Sequence, residues 1–364
     1  CTAPTATTIT PTIILPRRNE ADLDDLPREV FDELTFVPVD TLDQVLATAL
    51  RLQSSRPQVS SRERRVILSE KANFPTDLYV VQGLIDVLGQ RHELKLVEFD
   101  DVADAIDDRT AVVMLTHVNF RTAAMHDMSA VTGCAHGAGA LMVWDLSHSA
   151  GAVPVALNAA AADFAVGCGY KYLNGGPGAP AFVFVAGHHL AAIAADTYAQ
   201  PLAGWLGHHA PFEFIADYQP AASIDRYAVG TPSIVALSAL EVGVDTVLAA
   251  GVDALRAKSI ALTQLFIELV EHRCAAHVLL VSPRNSERRG SQVCFSHPHA
   301  YAVMQALIKR GVIGDFRAPD ILRFGLAPLY VGYADLWNAV EALHHVLVGH
   351  EWQRAEFQTR ETVT

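Results

Sequence analysis

Asp145, in "LMVWDLSHSAG", and Lys171, in "DFAVGCGYKYLNGGPG", are the groups in this sequence whose type and spacing most directly imply chemistry. "LMVWDLS" reads as a buried strand ending at Asp145, and in open α/β sheets ligands gather beyond the carboxyl ends of strands, so this carboxylate points into a crevice. Burial disfavours its charged form unless a cation or donor lies near, and none is adjacent in sequence. Lys171 arrives after one helix-sized and one strand-sized segment, also without an acidic neighbour. Buried lysines of this kind have lowered pKa values and serve as Schiff-base nucleophiles. An acid at one strand end and an unpaired lysine at another, followed by glycines, suit pyridoxal phosphate: the lysine attaches the cofactor and the aspartate sits beneath its ring nitrogen. On these residues alone a plainer alternative, a surface lysine and a helix-capping aspartate, stands beside that reading.

Elements that could hold both groups at one sheet edge are legible. "RRVILSE" suits a buried parallel strand, "TDLYVVQGLIDVLGQR" a helix, "LKLVEF" and "TAVVMLTHV" strands, "MSAVTGCAHGAGA" a helix, and "LMVWDLS", "ADFAVGCG" and "AFVFV" strands. This alternation predicts an α/β fold with a mostly parallel sheet and helices on both faces. From Gly230 one long helical tract runs to about Arg273 with a break near Gly251, leading to strands at "HVLLVS", "SQVCFSH" and "ILRFGLAPLY". Three zones follow. Residues 1–35 are a Thr/Pro-rich, then acidic arm, irregular before a short helix; residues 36–245 form a large domain, with a further helix over "TLDQVLATALRLQ"; residues 246–364 form a smaller α+β domain.

Composition narrows the partners. Lys+Arg 27 against Asp+Glu 40 gives a formal charge of −13, and no basic stripe interleaved with aromatics is present, which argues against nucleic acid and for a small molecule. No apolar run reaches the roughly 18 residues needed to span a bilayer. The opening "CTAPTATTITPTIILPRRNE" lacks a basic region followed by an apolar one, so no signal peptide, no membrane partner and a cytoplasmic location are expected. The cysteines at 1, 134, 168, 274 and 294 show neither CxxC pairs nor metal spacing, which predicts reduced, mostly buried thiols and no metal site.

The segments "NFPTDLY", "MLTHVNFRT…MHDM", "WDLSHSAG…DFAVGCGYKYLNGGPG", "PLAGWLGHH", "RYAVGTPSI" and "RFGLAPLY" resemble kynureninase, a pyridoxal-phosphate enzyme of fold type I, the aspartate aminotransferase-like fold. The resemblance runs from about residue 44 to the C-terminus. It implies a large cofactor-binding domain with a smaller C-terminal one, in a homodimeric hydrolase. The reaction implied is cleavage of the Cβ–Cγ bond of L-kynurenine, or its 3-hydroxy relative, to alanine and an anthranilate, within tryptophan catabolism and the kynurenine route to NAD.

Residue by residue, the resemblance implies that Lys171 attaches the cofactor and then removes the α proton of the substrate, while Asp145 pairs with the pyridine nitrogen. His148 would lie beside that aspartate or the ring, Phe74 would stack on the ring, and Asp77 would lie near the cofactor. Thr116 ends another strand at the same edge, within reach of the cofactor. Tyr170 would bind the phosphate and lend a proton. Trp205 and Thr231 would reach the phosphate, partly from the neighbouring subunit, although Thr231 before Pro232 is also a plain helix N-cap. Arg323 interrupts the apolar strand "ILRFGL", where an unpaired guanidinium is costly, so it is expected to await the substrate α-carboxylate as a bidentate partner. Cysteine desulfurases and selenocysteine lyases share the Asp…Lys frame but typically have His before the lysine, so Tyr170 favours kynureninase.

The resemblance fails near the N-terminus. The family segments "YLDGNSLG" and "SW", which help form the substrate-ring side of the pocket, are absent. "VPVDTLDQ" is read as a shortened version of the Thr/Ser-rich turn over the phosphate, making Thr41 a candidate ligand. Two alternatives therefore stay open. One is another lyase of the superfamily such as a cysteine desulfurase, disfavoured because Cys294 sits inside the apolar run "QVCFSH" and no mobile cysteine loop is evident. The other is a non-catalytic protein retaining the fold.

Overall fold

In a computed structural model of the chain, residues 12–16, 35–39, 64–190 and 202–360 are described, and the chain divides into two compact units. The first unit comprises Cys1–Val66 and Thr76–Leu94. Its strands β1 (Thr12–Pro16) and β2 (Thr35–Val39) pair in parallel, from Thr12 opposite Thr35 to Pro16 opposite Val39. Thr12–Pro16 thus adds a strand to an arm expected to be irregular; the run Ile13, Ile14, Leu15 has the apolar, partly β-branched character that strands favour. Most of helix α1 (Pro75–Val87) also belongs to this unit. The helix expected over "TLDQVLATALRLQ" and the candidate Thr41 lie outside the described residues.

The second unit comprises Ile67–Pro75 and Lys95–Thr364 and contains Asp145 and Lys171. Its main sheet has six strands: β3 (Val66–Glu70), β4 (Glu93–Val97), β5 (Thr110–Thr116), β6 (Leu141–Asp145), β7 (Phe164–Cys168) and β8 (Ala181–Val185), in the order β4-β3-β5-β6-β7-β8. β5, β6 and β7 run parallel and β8 closes the edge antiparallel. The parallel strands are short runs of Val, Met, Leu, Ala and Phe with few polar residues, as burial on both faces requires. Helix α2 (Met128–Gly137) starts at Asp127, whose side chain accepts from Ala130 N–H at 2.9 Å. It buries Met128, Val131, Thr132 and Ala135, and its Thr132 hydroxyl accepts from the indole of Trp144 in β6 at 3.1 Å.

Helices α3 (Ile234–Ala250) and α4 (Val252–Cys274) bend by 80° at Gly251, whose φ of 78° is the left-handed conformation that glycine adopts without cost. Among the described residues no single helix is long and apolar enough to cross a membrane. α4 leads into a four-stranded antiparallel sheet of β9 (Leu279–Leu280), β10 (Gln292–Ser296), β11 (Asp315–Arg317) and β12 (Ile321–Gly325), ordered β11-β12-β10-β9. This sheet packs with α4, α5 (Ala300–Lys309) and α6 (Tyr333–Val348) around Phe266, Phe295, Leu307, Leu322, Phe324 and Leu343. β11 was not foreseen, because two of its three residues are charged and it carries no apolar signal. Of the cysteines, Cys274 and Cys294 are buried as expected, whereas Cys168 is half-buried and Cys134 exposed.

Candidate active site

The parallel register of β5 and β6 sets Thr116 directly opposite Asp145 at the carboxyl edge of the sheet. Both are buried. Asp145 Oδ1 accepts from the Ser147 backbone N–H (2.8 Å) and hydroxyl (2.6 Å), and Oδ2 lies 3.1 Å from Thr116 Oγ1. That hydroxyl is also 2.5 Å from Asn73 Oδ1, so its single hydrogen serves one acceptor at a time. The Asn73 amide is oriented by its own contacts: Oδ1 accepts from Phe74 N–H at 2.7 Å, and Nδ2 donates to Ser69 Oγ at 3.0 Å. Asn73 thereby ties the Asp145 edge to Phe74, whose ring meets Phe120 edge-on at 5.2 Å.

Lys171 follows β7 in a tight loop, where Gly175 N–H donates to Gly169 O and Asn174 N–H to Lys171 O. α3 packs hard against this loop. A Cβ at Gly243 would meet Leu173 O at 2.5 Å, so the close approach requires glycine. Lys171 Nζ lies 5.4 Å from the Tyr170 ring centroid and 6.0 Å from that of Phe74. Burial lowers its pKa; Cys168 and Asp145 work in the opposite direction, and Arg323 and Arg317 add to the lowering. Burial likewise raises the Tyr170 phenol, and it pushes the His148 imidazole well below its usual value, with Lys171, Arg323 and Arg317 adding to that effect. Tyr170 keeps its proton and His148 stays neutral at physiological pH.

Lys171, His148, Tyr170, Arg317 and Arg323 line one cavity of about 460 Å³. Three buried polar atoms without a partner belong to its walls: His148 Nδ1, Asn174 Nδ2 and Arg317 Nε. With Lys171, Arg317 and Arg323 in its lining, the cavity suits an anionic, hydrogen-bonding ligand. Arg323 differs from expectation. Its guanidinium is not unpaired: Nη1 donates to Phe120 O at 2.8 Å and Nη2 to Asp315, its direct cross-strand neighbour. Arg317, two residues along the same face of β11, binds the same Asp315 oxygen at 2.6 Å. Two guanidiniums share one carboxylate, so the charge of the trio is positive. A guanidinium has five N–H donors, and these two hydrogen bonds leave Arg323 capacity for a further carboxylate.

Asp145, His148, Tyr170, Lys171, Phe74, Thr116 and Arg323 are thus gathered in one unit. Asp77 lies in the first turn of α1, in the other unit. Trp205 lies outside the walls of this cavity, in an aromatic cluster with Phe212 (5.7 Å) and Phe214 (6.0 Å) beside a separate cavity. Thr231 is exposed and is also absent from the cavity walls; the N-cap of α3 is Ser233, not Thr231, because the helix begins at Ile234. The two segments do adjoin, since a Cβ at Gly204 would fall 1.7 Å from Val229 O. Asn73, Asp315 and Arg317 were missed by sequence reasoning. The signal for the latter two was present: an acid and a base two apart before "ILRF" share one face of a strand.

The family model of the kynureninase C-terminal domain matches residues 255–343, and that of the Lon protease (S16) C-terminal proteolytic domain matches residues 3–52. The chain is similar to a curated kynureninase of Burkholderia mallei (strain SAVP1), with 51% identity over 354 residues, covering 96% of this chain and 83% of that protein. It is also similar to the kynureninase of Pseudomonas fluorescens, with 53% identity over 325 residues, covering 89% and 76%. Among solved structures it shares its fold with a C-DES variant holding glycine covalently linked to the pyridoxal-phosphate cofactor, with a TM-score of 0.66, 12% identity, and 90% and 91% of the two chains covered.

Proposed function

The chain belongs to the kynureninase family and is a pyridoxal-phosphate enzyme that hydrolyses the Cβ–Cγ bond of L-kynurenine, and we propose that Lys171, Tyr170, Asp145 and Arg323 carry this reaction. The observation that bears most on the proposal is Lys171 itself: an amine with its pKa lowered by burial, near the buried Asp145 and in the lining of a cavity that also holds Arg317 and Arg323. These residues fit the cofactor. Lys171 would hold it covalently, Asp145 would face its ring nitrogen, His148 and Phe74 would flank its ring, and Thr116 would reach it from β5. Asp77 and Thr41 remain candidates for its surroundings. The bound cofactor supplies an electron sink conjugated to the α-carbon of the substrate.

The protein groups do the remaining work. Asp145 is fixed by Ser147 on one oxygen and faces Thr116 on the other, so its carboxylate presents a constant geometry. Lys171, with a lowered pKa, takes and returns a proton at Nζ. Tyr170, kept protonated by burial, donates one from its phenol. Arg323 clamps the α-carboxylate with the donors that Asp315 and Phe120 leave over, and Arg317 adds positive charge across the cavity. Water completes the reaction at the γ-carbonyl, giving one anthranilate and one alanine per kynurenine.

Trp205 and Thr231 stand outside the cavity of their own chain and are assigned to the phosphate of a second copy, which makes the working form a homodimer. Supporting this, Phe212, Phe214, Ile234, Val235, Val242 and Leu248 are large apolar side chains left exposed on the same segment and on α3. The zones 36–245 and 246–364 are read as its cofactor-binding and smaller domains, the cytoplasm as its location, and the kynurenine route of tryptophan catabolism, which leads toward NAD, as its context. Incubation of the holoenzyme with L-kynurenine tests the function: equimolar anthranilate and alanine are expected, and release of sulfur from cysteine with no anthranilate would favour a desulfurase instead.

A further inference from the structure

Asp163 precedes β7 at the end of the sheet opposite Lys171, and it is buried to 2% exposure. Antiparallel pairing of β7 with β8, Phe164 opposite Val185, returns the chain to the same place, where Ala186 N–H donates to Asp163 O and His188 and His189 follow. His189 Nε2 lies 2.7 Å from Asp163 Oδ1. His188 Nε2 lies 3.8 Å from the same oxygen, too far for a hydrogen bond. The other oxygen, Oδ2, accepts from Met142 N–H at 2.7 Å and faces His136 Nε2 at 2.8 Å. Ligand atoms of Asp163, His188 and His189 all lie within 4.8 Å of one another.

We propose that Asp163, His188 and His189 form a binding site for one divalent transition-metal ion of the zinc, cobalt or nickel type. Ligand atoms about 2.0–2.2 Å from a tetrahedral zinc stand roughly 3.3 Å apart. The His189 contact of 2.7 Å would therefore open and the His188 contact of 3.8 Å would close, each by about half an ångström, a movement within the reach of side-chain torsions. Two imidazoles and one carboxylate suit these metals better than calcium or magnesium. The carboxylate is prepared for the role. Its Oδ2 contacts with Met142 N–H and His136 orient it as an outer shell does in metal sites. His189 is steadied by stacking on Phe164, with ring centroids 5.0 Å apart and planes 14° from parallel. The absence of metal-type spacing among the cysteines gave no hint of this site, because its ligands flank the paired strands β7 and β8, Asp163 before the first and His188 and His189 after the second. Its place at the far end of β7 separates it from Lys171, so the ion would tie β7 to the segment after β8 rather than take part in turnover.

The test uses tag-free holoenzyme stripped with a chelator and titrated with cobalt(II). One equivalent should produce the visible absorption of a low-symmetry site, and zinc should raise the thermal midpoint. His188→Gln changes an exposed side chain and leaves the His136–Asp163–His189 contacts in place. It should weaken metal affinity at least tenfold, and His188→Gln with His189→Gln should abolish the one-equivalent endpoint, while kynurenine turnover stays at the wild-type rate in both. Lack of a one-equivalent endpoint in the unmutated protein would overturn the proposal. So would an endpoint that persists in the double variant, which would place the ion elsewhere, for instance at the His208–His209 or His297–His299 pairs.

Discussion

Arg323→Lys separates binding of the amino acid from binding of the cofactor. The substitution preserves the positive charge on β12 but replaces a planar fork by a single ammonium. In the structure the fork spans Phe120 O at 2.8 Å and Asp315 on the neighbouring strand, with donors to spare. A lysine reaching Asp315 loses either Phe120 O or the second bond to an incoming carboxylate. One charge-assisted hydrogen bond is worth about 1.5–3 kcal/mol, and 1.4 kcal/mol corresponds to a factor of ten, so kcat/KM for L-kynurenine should fall by roughly 10- to 150-fold. The assay is steady-state anthranilate formation, with the cofactor absorption spectrum and thermal midpoint as controls. The spectrum should be unchanged because Arg323 hydrogen-bonds to Phe120 O and Asp315 and to neither Lys171 nor Asp145. Unaltered kcat/KM with an intact spectrum would refute the carboxylate role; a lost cofactor spectrum would show that Arg323 serves the cofactor instead.

Other perturbations follow from the same geometry. Asp145→Ala removes the carboxylate beneath the ring and should lower turnover by at least a hundredfold in a protein that still folds, as judged by circular dichroism; wild-type turnover would contradict the assignment. Gly243→Ala drives a Cβ to 2.5 Å from Leu173 O and should cost about 1–3 kcal/mol of stability, visible in urea denaturation, together with weaker cofactor retention. Cys294 is buried with its thiol pushed up to about 12, so Cys294→Ala should leave kynurenine turnover within twofold of wild type; a large loss would revive the desulfurase reading. His117, pushed down to about 4 chiefly by burial, stays neutral in the folded protein while the unfolded chain protonates near 6.5. Its contribution to stability is present above pH 6.5 and is lost as pH falls toward 4, at about 1.4 kcal/mol per pH unit, so His117→Asn should flatten the pH dependence of the urea midpoint over that interval.

Much of this architecture was readable because apolar periodicity and strand-end chemistry agree. β5, β6 and β7 are uninterrupted apolar runs, and each ends near a polar group, so Thr116, Asp145 and Lys171 announce one edge of a parallel sheet. The bend between α3 and α4 was marked by Gly251. Arg323 was read as awaiting a substrate carboxylate, and its pairing with Asp315 was missed because only cross-strand register sets that residue of a three-residue strand opposite it. Asn73 escaped notice because an amide between "A" and "F" has many ordinary uses, and only the fold sets it against Thr116. Trp205 and Thr231 carry motifs, but their place relative to the cavity depends on how their segments pack around Val229 and Gly204, which sequence spacing does not encode.

The claim that joins all of this is that Lys171 holds the cofactor in the cavity shared with Arg323. Reduction of the holoenzyme with borohydride, followed by proteolysis and mass mapping, tests it in one step. The account predicts a stable pyridoxyl mass on the peptide containing Lys171 and on no other lysine, whereas a label on Lys258 or Lys309, or a reduced holoenzyme with Lys171 unlabelled, would contradict it.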